Sequence, residues 1–237
     1  MSSLYLYTIA ALIVGIIFPA YAIWNGKKAR QLLIEQPSSK ILVFRQTGLI
    51  LICLTIIVII PFILNGKRLD HIWLHFLNKP LWILGLFAIS FLALYIFKSL
   101  RLTEKAAKKF QKANKDVSFL MPSTKLELKI TIIISFIAGI CEEIVYRGFL
   151  FWYLTQYVPI LVAMLLANLP FALGHLTTTG KKNTFGAFIL AFIFSGAWFL
   201  TKSLWLPILL HIIVDLYSMI LAYKSNQLLN NNSQQPK

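Results

Sequence analysis

The stretch "AGICEEIVYRGF", residues 138–149, places two adjacent glutamates and an arginine inside an apolar run that extends from 129 to 154. On an insertion scale each charge at a helix centre costs roughly 2.5–3.5 kcal/mol, whereas each Leu, Ile, Val or Phe returns only about 0.3–0.6 kcal/mol. Ionisable groups persist in such a run when they are paired, protonated or facing a watered cavity, and they mark functional positions by default. Spacing divides the three. In a helix Glu143 and Arg147 are four apart and stack on one face as an ion pair, while Glu142 is turned about 100° away. One carboxylate is structurally accounted for; Glu142 is the spare acid, either part of a polar knot that holds helices together or a group that takes a proton and later returns it.

Working outward, the whole chain has the composition of an integral membrane protein. It has 237 residues, of which 58% are hydrophobic and only 13% charged, with a mean hydropathy of +0.75, far above that of an ordinary soluble domain. The 23 Lys and Arg against 8 Asp and Glu leave a formal +15. The basic residues cluster in short connectors between apolar runs and do not interleave with aromatics along a polar face. That distribution argues for topology and anionic lipid head groups, and against nucleic acid. Cys53 and Cys141 both fall in apolar runs, so no disulfide framework is implied, and Cys141 has no activating base beside it.

Seven runs are long enough to cross roughly 30 Å of hydrocarbon as helices: 4–24, 42–64, 81–99, 129–154, 157–177, 185–201 and 204–223. The expected fold is therefore an all-α polytopic membrane helical bundle of about seven spans. The aromatic-rich segment 65–80 leaves room for a short interfacial helix and an eighth. Residues 100–128 are basic, helix-favouring and too polar to span, and are expected to form one amphipathic helix on the cytoplasmic surface. Three regions follow: 1–124, an N-terminal membrane region with three spans and a basic linker; 125–223, a membrane core that carries the intramembrane ionisable residues; and 224–237, a polar tail expected to be disordered. The first span reads as an uncleaved anchor, because it lacks a basic leader and "GKKAR" follows it directly. Connectors on one side hold 18 of the 23 basic residues, so the positive-inside rule places the N-terminus outside and the C-terminus in the cytoplasm.

Two further spans carry chemistry at helical spacing. In "SLWLPILLHIIVDL" His211 and Asp215 are four apart on one face, so the acid can orient the ring or the pair can face an oxyanion. In "NLPFALGHL" His175 follows Phe171 by four; Pro170 frees a backbone carbonyl and Gly174 permits close helix approach. Brought together, these spans supply carboxylates and two imidazoles around one water, an inventory suited to peptide hydrolysis with or without a metal.

At these residues the chain resembles the CAAX protease and bacteriocin-processing family of intramembrane endopeptidases. The family's three motifs, Glu-Glu-x-x-x-Arg, Phe-x-x-x-His and His-x-x-x-Asn/Asp, read here as "EEIVYR" at 142–147, "FALGH" at 171–175 and "HIIVD" at 211–215. The resemblance covers residues 125–223. It implies that Glu142 and His175 activate the attacking water, that Glu143 and Arg147, with Phe171, support the site, and that His211 and Asp215 line the oxyanion side. Asp215 departs from the Asn of the eukaryotic branch. An ionised aspartate cannot donate a hydrogen bond, so either Asp215 is protonated or it orients His211. The resemblance requires no cofactor, although Glu142, His175 and His211 are the residues that would bind zinc if a metal were used.

The expected activity is thus a glutamate-dependent endopeptidase in the bacterial cell membrane, acting on a peptide or membrane protein. As a family-level expectation the substrate is a small secreted peptide or pheromone precursor, not a prenylated protein. A non-catalytic bacteriocin-immunity or scaffold protein, or a proton-coupled transporter, are the rival readings. No repeat between the two halves favours the transporter.

Overall fold

The computed structural model describes residues 2–66, 89–90, 93–94, 97 and 101–233. The span expected at 81–99 and the question of an eighth helix in 65–80 therefore fall largely outside the described residues. All the described elements are helical. The chain enters through α1 (Ser2–Leu12), a π-helical turn (Ile13–Ile17) and α2 (Phe18–Glu35), which run on as one rod. The rod extends past the apolar run that ends near residue 24, because Lys27 to Gln31 are mostly good helix formers. Gln36 leaves helical geometry at φ −130°, ψ 78°, as the residue before Pro37 must.

α3 (Lys40–Leu64) returns, and Asn65 and Gly66, the latter at φ +61°, end it. Next in the described chain come α4 (Glu104–Ala113), capped by the Thr103 hydroxyl, and a 3-10 turn (Lys115–Leu120). The single amphipathic helix expected over 100–128 is thus a short helix, a 3-10 turn and a loop. α5 (Lys125–Glu142), capped by Thr124, continues through a second π-helical segment (Glu143–Leu150) into α6 (Phe151–Leu154). α7 (Ile160–Leu173), α8 (Leu176–Thr179), α9 (Lys181–Thr201) and α10 (Trp205–Ser233) complete the bundle.

Among the described residues, four helical stretches are long and apolar enough to cross a membrane: Leu4–Glu35, Pro37–Leu64, Lys181–Thr201 and Trp205–Asn231. Ile160–Leu173 is apolar but shorter. They contain the expected spans 4–24, 42–64 and 185–201, and all of 204–223 but its first residue. The expected 157–177 corresponds to α7, and 129–154 to the α5–α6 rod, whose central charges set it apart from a plain apolar span. Large apolar side chains such as Ile9, Ile16, Ile56, Leu165, Ile189 and Leu200 stay exposed on the outer faces. That is the arrangement a lipid-facing surface needs.

The interior is aromatic. Tyr7 and Phe62 meet edge to face at 5.0 Å, and Phe62 contacts both Phe149 and Trp152. Asn168 of α7 and Ser195 of α9, both buried, exchange hydrogen bonds at 2.9 and 3.2 Å. This is the kind of polar contact that joins helices where apolar burial cannot discriminate helix from lipid.

α10 runs on to Ser233, into the segment whose composition suggested a disordered tail. Polar side chains explain the extension: Ser225 donates to the Ala107 carbonyl, Asn226 accepts from Gln111 and donates to the Pro122 carbonyl, and Gln227 donates to the Ser123 carbonyl. At the other end α10 lies against α5 at Gly139. A Cβ there would sit 2.5 Å from Ile212 Cγ1 and 3.1 Å from the Ile212 backbone nitrogen. Only a glycine lets the two backbones come this close, and the contact lies one turn from Glu143 and one residue from His211. Gly139→Val is therefore expected to lower stability by about 1–3 kcal/mol through overpacking, read as earlier thermal unfolding in detergent. Gly196→Ala, with open space at its Cβ, should unfold no earlier than wild type.

Candidate active site

The α5–α6 rod carries Glu142, Glu143 and Arg147 where α-helix gives way to π-helix. Every residue from Glu143 to Leu150 is buried. π-helical turns inside α-helices widen the rod locally and recur at functional sites. The π-helical turn of α1 and α2 packs against this one, with the Cβ position of Gly15 3.6 Å from Leu150 Cδ1.

Glu143 is fully buried and its Oε1 accepts two hydrogen bonds, from Arg147 Nη1 at 2.9 Å and from His211 Nδ1 at 2.8 Å. A carboxylate oxygen only accepts, so the hydrogen lies on Nδ1 of His211. The ion pair expected from spacing is present. It also reaches across to α10, which spacing within one helix could not show. Glu143, and not Asp215, orients the His211 ring. The Nε2 atom of His211 faces Glu142 Oε2 at 3.7 Å and Asp215 Oδ2 at 3.8 Å. Both separations exceed a direct hydrogen bond.

His175 sits just past the end of α7. Its backbone N–H bonds the Ala172 carbonyl and Gly174 N–H bonds the Pro170 carbonyl, so the Phe171 carbonyl is left to the His175 ring, 3.0 Å from Nδ1. The carbonyl is freed by the helix end rather than by the missing N–H of Pro170. Because a carbonyl can only accept, Nδ1 of His175 carries the hydrogen, and in the neutral ring Nε2 keeps the lone pair.

Phe171 is the ring on which these groups converge. The Arg147 guanidinium lies 4.4 Å over it, and its centroid is 5.1 Å from the His175 ring, 6.1 Å from His211 and 5.5 Å from Tyr146. Phe194 of α9 stacks on His211 at 5.2 Å and 28°. Neither Phe194 nor Tyr146 is distinguishable in the sequence from an ordinary core aromatic.

Glu142 and His175 line one cavity of about 310 Å³, together with Tyr146, Phe171 and one face each of α2 and α3. The Glu142 side chain is 14% exposed, whereas Glu143 is wholly enclosed. The two adjacent acids thus have opposite surroundings: one closed and engaged, the other open to the cavity. Among the described residues no three His, Cys, Asp or Glu converge in an arrangement that would hold a metal ion. His211 commits Nδ1 to Glu143 and His175 commits Nδ1 to a carbonyl, so Nε2 is the ring atom that each histidine has left for acid–base chemistry or for a ligand.

A half-buried carboxylate and a half-buried imidazole, Glu142 and His175, thus open into one cavity of an apolar helical bundle. Residues 124–217 match the model of the family described as Rce1-like, type II CAAX prenyl endopeptidase Rce1-like. The match supports membership of the chain in the CAAX protease family, at the level of a CAAX-protease-type intramembrane endopeptidase. It contains all three motifs and leaves α1 to α4 outside. No curated protein and no solved structure gives a significant match.

The shielded position of the pair sets its energetics. Removing one partner of a buried ion pair leaves an uncompensated charge and costs about 3–5 kcal/mol, whereas replacing both by apolar groups is often neutral. Glu143→Leu alone should therefore destabilise strongly. The double variant Glu143→Leu with Arg147→Leu should recover much of the loss, as measured by denaturation in mixed micelles, with His211 left unoriented in both.

Proposed function

We propose that the protein is an intramembrane endopeptidase in which Glu142, assisted by His175, activates a water to hydrolyse a peptide bond at or within the bilayer. The observation that carries the reading is that Glu142 and His175 open into the same cavity, while Glu143 is enclosed and engaged by Arg147 and His211.

In this mechanism a water lies between the Glu142 carboxylate and the free Nε2 of His175. Glu142 takes one proton as the water oxygen forms its bond to the scissile carbonyl carbon, and the carbonyl π electrons move onto oxygen. His211, held by Glu143, faces the developing oxyanion with Nε2, and Asp215 borders the same space. A neutral His211 with its hydrogen on Nδ1 has no donor there, so the oxyanion role requires His211 to carry a second proton or Asp215 to be protonated. Collapse of the tetrahedral adduct re-forms the carbonyl and breaks the C–N bond, and Glu142 returns its proton to the departing amine. The products are a carboxylic acid and an amine, and the site is restored without a metal or other cofactor.

The substrate in this reading is a peptide or membrane-protein segment delivered from the bilayer, most simply a small secreted peptide in a bacterial cell membrane. The chain sits with its N-terminus outside and its C-terminus in the cytoplasm, and its basic connectors face anionic lipid head groups. Removing a general acid–base group typically costs 10²–10⁴-fold in rate. Glu142→Gln should thus reduce cleavage at least a hundredfold while insertion and thermal stability stay near wild type. Peptides released by cells carrying each form, compared by mass spectrometry, provide the readout; undiminished cleavage in the variant rules out the mechanism. For the orientation, Lys109 should react with a membrane-impermeant amine reagent only after the cells are permeabilised.

A further inference from the structure

Beyond the acid–base groups, the cavity has walls that the family segment does not supply. Phe18, Ala22, Asn25 and Ala29 of α2 recur at three- and four-residue spacing and face it as one stripe, and Thr47 and Leu51 of α3 face it from the other side. Most of this lining is apolar, and its polar groups differ in what they already do. The Thr47 hydroxyl donates to the Val43 carbonyl, and Thr179 donates to the carbonyl of His175. Tyr21 and Tyr146 each present one hydroxyl. Asn25 and Thr178 make no side-chain hydrogen bond to a described residue, and Asn25 alone offers both N–H donors and a carbonyl acceptor in a peptide-like plane.

Their position is fixed from outside the cavity. α2 approaches α8 so closely at Gly26 that a Cβ there would collide with Thr177 Oγ1 and lie 3.0 Å from Thr178 Oγ1. Thr177 also donates to the Ala22 carbonyl at 3.1 Å. This contact joins the helix bearing Asn25 to the turn that follows His175.

A peptide cut at membrane depth must be locally unwound for its carbonyl to be attacked. Unwinding removes its internal hydrogen bonds, and in hydrocarbon each unsatisfied backbone group costs several kcal/mol. The enzyme must therefore offer replacements near the scissile bond. We propose that Asn25 and Thr178 form a backbone clamp for the extended substrate peptide. The Asn25 carboxamide pairs with a peptide N–H and C=O beside the bond to be cut, and the Thr178 hydroxyl pairs with the next exposed group. The ligand class is an unfolded, apolar peptide segment, recognised through its main chain, with the apolar stripes of α2 and α3 taking its side chains.

The clamp rests on the endopeptidase reading, and the test separates the two. The probe is a proteome-derived peptide library presented to protein in lipid nanodiscs. Cleavage by the wild type that disappears in Glu142→Gln supports the reading; cleavage that persists overturns it. Retention of uncut library peptides by the Glu142→Gln protein reports the clamp. Adding Asn25→Leu or Thr178→Val, both close in size to the residue replaced, should lower retention about tenfold and fivefold respectively, with the unfolding temperature unchanged. Equal retention with and without these changes, or no retention at all, overturns the clamp. So does a loss that appears only when the unfolding temperature falls as well.

Discussion

The site depends on one oxygen atom. Glu143 Oε1 accepts hydrogen bonds from Arg147 on its own helix and from His211 on α10, so a single buried carboxylate both neutralises an arginine and fixes an imidazole. In a low-dielectric interior, removing either partner of such a pair is costly because it leaves the other charge uncompensated. The surrounding construction serves this contact. Gly139 lets α10 approach, the π-helical segment is buried along its whole length, and Phe171 and Phe194 enclose the arginine and the histidine.

With Glu143 closed in this way, its neighbour becomes distinct. Glu142 is one residue away, yet it opens into a cavity that His175 shares. His175 owes its tautomer to a helix end: a carbonyl with no backbone partner takes its Nδ1 hydrogen and leaves Nε2 available. The two histidines are thus set by different devices, a carboxylate for His211 and a carbonyl for His175. Both devices direct a hydrogen to Nδ1; His211 then faces Glu142 and Asp215 with Nε2, and a neutral His175 keeps its lone pair on Nε2.

The division of labour along the chain follows the same line. The matched segment, 124–217, holds Glu142, His175, His211 and Asp215, whereas α2 and α3 close the cavity from outside it. The N-terminal region carries no motif of its own, so its share in the cavity is visible only in the packed helices.

By itself the sequence determined the helical class, most of the spans and the identity of the ionisable residues, because hydropathy and i to i+4 spacing are local properties that one helix expresses alone. The pairing of Glu143 with Arg147 and the singular status of Glu142 were legible for that reason. The Glu143–His211 bond was not, since it joins residues 68 apart in the chain and needs two helices in contact at Gly139. Spacing offered Asp215 either as an acid that orients His211 or as a partner facing an oxyanion, because it lies on the same helix; the fold brings a nearer acid, Glu143, to the His211 ring. Composition likewise suggested a free tail at 224–237, but side-chain bonds from Ser225, Asn226 and Gln227 to the α4 region extend the helix to Ser233. Local periodicity is written residue by residue, whereas which polar groups meet across a bundle is decided only when the helices pack.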